Sequence, residues 1–74
     1  MEAFQERVIA EKKELDSKRE SLISFMHTDK FNSMPVDEKG DMQLQREIMR
    51  DYSTILTRRI SRFNPTSEDK EESQ

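Results

Sequence analysis

At 74 residues the chain has room for one domain, and 31% hydrophobic against 39% charged residues leave it poor in core and rich in surface. It carries no Cys and a single His, which excludes a disulfide framework and any cluster with zinc-ligand spacing. The formal net charge is −3, and no apolar run approaches the roughly 20 residues a spanning helix needs, so neither a membrane span nor a secretory leader is expected. Beginning at Met1 and ending in a polar tail, the sequence reads as a complete small cytoplasmic protein.

Residues 2–27 hold no Gly or Pro and are dominated by Glu, Lys, Arg, Leu and Gln, all good helix formers. Met1, Val8, Leu15 and Leu22 recur every seven residues, and Phe4 and Phe25 follow the outer two by three, so a first helix with one apolar seam is expected. Acid-to-base pairs four apart, such as Glu14 and Lys18, support it from the solvent side.

The pattern breaks between Met26 and Asp41. His27-Thr28-Asp29-Lys30 is polar, Pro35 cannot sit inside a helix, and Gly40 is the only glycine. Pro35 belongs near the first turn of a second helix, with Ser33 as its cap and Asp37 and Glu38 at the positive dipole end. Phe31, Met34 and Val36 are expected to plug the open end of the fold.

From about 36 to 63 the heptad returns as Met42, Met49, Leu56 and Phe63, widened by Ile48, Tyr52, Ile55 and Ile60. The two helices, each about 40 Å long, fold back as antiparallel neighbours. That pairs Leu22 with Met42, Leu15 with Met49, Val8 with Leu56 and Phe4 with Ile60. The predicted fold is all-α: an antiparallel two-helix hairpin over 1–63, followed by a disordered acidic tail over 64–74. The tail's four acids and one Lys account for the whole net charge, so the hairpin is neutral and has no field to attract duplex nucleic acid.

A hairpin with so few large apolar residues cannot bury enough surface alone, and without disulfides or metals the usual remedy is association. A helical-bundle homo-oligomer is therefore expected, with Ile9, Ile23, Met26, Ile48 and Ile55 forming a second apolar stripe at the interface. The same stripe, with its methionines, also suits a promiscuous binding groove.

Polar groups interrupt the expected seam at its middle. Glu11 and Lys18 occupy the positions equivalent to Phe4 and Phe25, with Glu11 facing Tyr52 and Lys18 facing Gln45. Such pairs fix helix register, or they open onto a pocket between subunits where Lys18 meets an anionic ligand. Arg58-Arg59-x-x-Arg62 closes the second helix, complementing its dipole or, with Arg7 across the hairpin, binding phosphate. His27 has no organised nucleophile beside it, so neither catalysis nor a cofactor is expected.

The pattern Gln5-x-Arg7-Val8-x-x-Glu11-Lys12-x-x-Leu15-Asp16-x-Lys18, then Phe25, Phe31, Pro35 and Gln45-x-x-x-Met49-x-x-Tyr52-x-x-x-Leu56-x-x-Arg59-Ile60, resembles small helical-hairpin proteins of tailed phages over residues 4–63. More remotely it is similar to the anti-CBASS and anti-Thoeris sponges that sequester cyclic nucleotide signals of bacterial immunity. The matching stretches are Asp29-Lys30-Phe31 and Leu56-Thr57-Arg58-Arg59-Ile60-Ser61-Arg62. The sponge pattern includes a Trp and an N-terminal Tyr that this chain lacks, so Arg58 and Arg62 are what the resemblance carries over. It implies a non-enzymatic counter-defence protein acting in the cytoplasm of an infected bacterium. Its cyclic oligonucleotide would sit at an inter-subunit pocket lined by Lys18, Tyr52, Arg58, Arg59 and Arg62. The alternatives are an inhibitor that docks a helical face on a host or defence enzyme, and a purely structural helical oligomer.

Overall fold

The computed structural model describes residues 2–63; Met1 and the expected acidic tail lie outside them. The order of elements is α1 (Ala3–Met26), α2 (Asp29–Asn32) and α3 (Val36–Ser61), with no strand among the described residues. The two long helices end within two residues of their expected limits.

α1 starts at Glu2, whose backbone N–H donates to Gln5 Oε1 at 2.9 Å and so satisfies a donor the first turn would leave open. At its far end His27 Nδ1 lies 2.8 Å from the Ile23 carbonyl, which can only accept, so the ring donates there. The Thr28 hydroxyl then donates to Phe25 O at 2.6 Å and accepts from Phe31 N at 3.2 Å. One side chain thereby closes α1 and opens α2.

The connection folds as a helical turn where the sequence reading expected none. It buries Phe31, whose ring meets Phe25 edge-on with centroids 6.2 Å apart, and half-buries Met34. Val36 takes no part in the plug and is 82% exposed. Ser33 does not cap α3: its hydroxyl turns back to Lys30 O at 2.9 Å and ends α2. The N-cap of α3 is Pro35, whose φ of −59° is already helical, with Asp37 and Glu38 in the first turn to favour the dipole.

α1 and α3 pack antiparallel into a hairpin 51 × 23 × 16 Å, one layer of helices thick. The seam on α1 runs Gln5, Val8, Lys12, Leu15, Arg19, Leu22, Met26, with Asp16, Ile23 and Phe25 half-buried beside it. On α3 and just past its end they run Lys39, Met42, Arg46, Met49, Ser53, Leu56, Ile60, Phe63. Both series alternate steps of three and four, the signature of a coiled-coil seam. Val8 and Leu56 are its buried members, Leu56 completely so.

The seven-residue apolar series is therefore as expected, but its companion position is four residues on, not three. Glu11, Lys18, Gln45 and Tyr52 fall one position outside the seam and are all exposed. Lys12, Arg19, Arg46 and Ser53 stand in their place. Neighbours at three and four residues are equally near on a helix, and aromatic Phe4, Phe25 and Tyr52 favour the wrong one of the two. The fold-back also differs from the expected register: Phe4 meets Phe63, with ring centroids 5.7 Å apart, about one turn beyond Ile60.

Candidate functional site

The middle of the seam is polar and built from both long helices. Asp16 accepts from Lys12 Nζ at 2.5 Å within α1 and from the Ser53 hydroxyl at 2.6 Å across the hairpin. The Lys12 hydrogen bond, then that of Ser53, holds the Asp16 carboxyl below its ordinary value of 3.8, while burial works in the opposite direction. One turn along, Arg19 Nε donates to the Arg46 carbonyl at 3.3 Å. Sequence reasoning missed this network. Its one visible sign is the four-residue spacing of Lys12 and Asp16, an ordinary helix pair.

Glu11, Lys18, Gln45 and Tyr52 nevertheless share a location. Each precedes a seam residue by one position, and in an antiparallel pair those positions flank the seam on the same face. They form a solvent-facing strip, which Arg59, one position before Ile60, continues. Lys18 and Tyr52 are near mid-hairpin, whereas Arg59 lies seven residues, about 10 Å, further along α3.

Arg58 and Arg59 occupy the last turn of α3 and Arg62 is its C-cap, so three guanidiniums gather where helix carbonyls need cations. All three are exposed, and no carboxylate among the described residues lies within ion-pairing distance of them. The three arginines thus cluster at the end of α3, about two turns beyond Tyr52.

Ala10, Lys13, Glu14 and Ser17 outline a depression of about 430 Å³ on the outer side of α1, but all four belong to one helix and nothing walls it opposite. No group of His, Asp or Glu among the described residues could hold a metal ion. No described helix is long and apolar enough to cross a membrane.

The Sequestin family model matches residues 2–62, the whole hairpin. The chain belongs to the Sequestin family. No curated protein and no solved structure matches it. The family name points to the holding of a partner.

The residues expected at a subunit interface are divided by the structure. Ile48 and Ile55 are 57% and 49% exposed on α3, and Ile9 is 37% exposed on α1. Ile23 is half-buried near α2, and Met26 is half-buried as the last seam residue of α1. Leu44, 57% exposed, stands beside Ile48 on α3 and was absent from the sequence reading. A four-residue step to Ile48 was the signal that could have found it.

Proposed function

We propose that the protein is a phage counter-defence sponge, which holds a cyclic oligonucleotide immune signal without turnover in a pocket completed between copies of the chain. The observation that carries this reading is the arginine cluster. In a chain of a family named for sequestering, three guanidiniums face solvent with no carboxylate partner among the described residues. Planar guanidiniums bind phosphate bidentately, Lys18 adds a point charge, and the Tyr52 ring offers a face on which a base can stack. A second copy would supply the enclosure that these groups, all exposed on one hairpin, lack. The protein would act in the cytoplasm of an infected bacterium.

Titration calorimetry with a panel of cyclic di- and trinucleotides tests the proposal. Saturable binding is expected for at least one, with intact ligand recovered after denaturing the protein. Arg58→Ala with Arg59→Ala should weaken it at least tenfold, as loss of two charge-assisted contacts implies. Flat traces for every nucleotide would overturn it.

A second reading draws on the exposed Leu44, Ile48, Tyr52 and Ile55: an inhibitor that docks this face on a host or defence enzyme. Flat calorimetric traces, together with recovery of one host protein at near-equal stoichiometry, would favour it.

A further inference from the structure

Along α3 the residues Asp41, Gln45, Ile48, Tyr52, Ile55, Arg59 and Arg62 alternate steps of four and three. This is a second coiled-coil register on the same helix, turned away from the seam with α1, and every member is exposed. Its centre is apolar, with Leu44 beside Ile48, and its ends are charged with opposite sign. Acidic Asp37, Glu38 and Asp41 stand at the start of α3, and basic Arg58, Arg59 and Arg62 stand at its end.

We propose that this stripe is a homodimer interface in which α3 packs antiparallel against α3 of a second copy. The charge pattern chooses both occupant and direction. A parallel pair would stack arginine on arginine and aspartate on aspartate. An antiparallel pair about a two-fold axis near Tyr52 sets Tyr52 beside its own counterpart, Ile48 against Ile55 of the second copy, and Arg62 against its Asp41. Apolar residues meet apolar ones and each basic end meets an acidic end, self-complementary as a two-fold interface must be. The result is a four-helix layer in which each α3 has neighbours on two sides.

In the pair Tyr52 is covered and Arg62 meets an aspartate, so Lys18, Arg58 and Arg59 are the groups left for an anion; the pairing rests on the inter-subunit reading above only for the presence of a second copy, and it can be tested without any nucleotide. The chain has no Cys, so single-cysteine variants report unambiguously. Light scattering of the unmodified protein should give twice the chain mass. An oxidised equimolar mixture of Asp41→Cys and Arg62→Cys chains should yield the mixed disulfide dimer, while Arg62→Cys alone should stay uncrosslinked. Ile48→Glu with Ile55→Glu should give a monomer that keeps its helical circular dichroism. An assembly that forms no mixed disulfide, or that crosslinks through Arg62→Cys alone, would overturn this pairing and leave the sponge reading standing. A strict monomer at every concentration would overturn both.

Discussion

Asp16 accepts a hydrogen bond from each long helix, Lys12 on its own and Ser53 on the other, so it is the one carboxylate that ties α1 to α3. Its lowered pKa means that the unfolded chain takes up this proton first as the solution is acidified. The stabilisation is fully present above the ordinary value of 3.8 and is lost as pH falls through the lower folded-state value. Urea unfolding at neutral pH and at about pH 3 should therefore show an acid-sensitive part of the stability that Asp16→Asn removes. Leu56 is the opposite kind of residue, with no exposed surface. Leu56→Ala should cost about 2–5 kcal/mol, comparable with the whole stability of so small a fold, and circular dichroism should record a largely unfolded chain.

At the scale of elements, helix ends and a single glycine give the clearest tests. Thr28→Ala removes both the closing bond of α1 and the cap of α2, and should lower the unfolding free energy by about 1 kcal/mol in chemical denaturation. Gly40 lies within α3, is exposed, and a Cβ placed there would meet nothing within 4 Å. Gly40→Ala should therefore stabilise the protein by about 0.5–1 kcal/mol in the same experiment. The long helices were legible because formers of helix run unbroken between clear stops, and Val8, Leu15, Leu22, Met42, Met49 and Leu56 keep a seven-residue beat. The other half of the seam was not. Lys12, Arg19, Arg46 and Ser53 look like solvent-facing residues in sequence, and only packing reveals that long polar side chains line the contact. α2 escaped because four residues are too few to show a period. Of the candidate site, the arginine cluster was legible as a cluster, since its spacing is local. Its separation from Lys18 depends on how α3 is rotated against α1, which the spacing alone leaves undetermined.

At the scale of the whole molecule, the buried apolar residues among those described number three, Val8, Phe31 and Leu56, far fewer than a lone domain of this size needs to stand well clear of unfolding. If pairing through α3 supplies the remainder, the thermal midpoint should rise with protein concentration, as mass action requires when assembly stabilises the folded chain. It should also fall with added salt, because the arginine-to-aspartate contacts lie on an exposed rim. Scanning calorimetry over a concentration and a salt series measures both. A hairpin one layer thick has another consequence, for how its sequence can change. With almost no interior, most positions answer to solvent alone and are free to drift, while a narrow comb of residues three and four apart carries the fold. A lineage under pressure to escape recognition could rewrite most of such a surface, and alter what it grips, without redesigning the scaffold beneath.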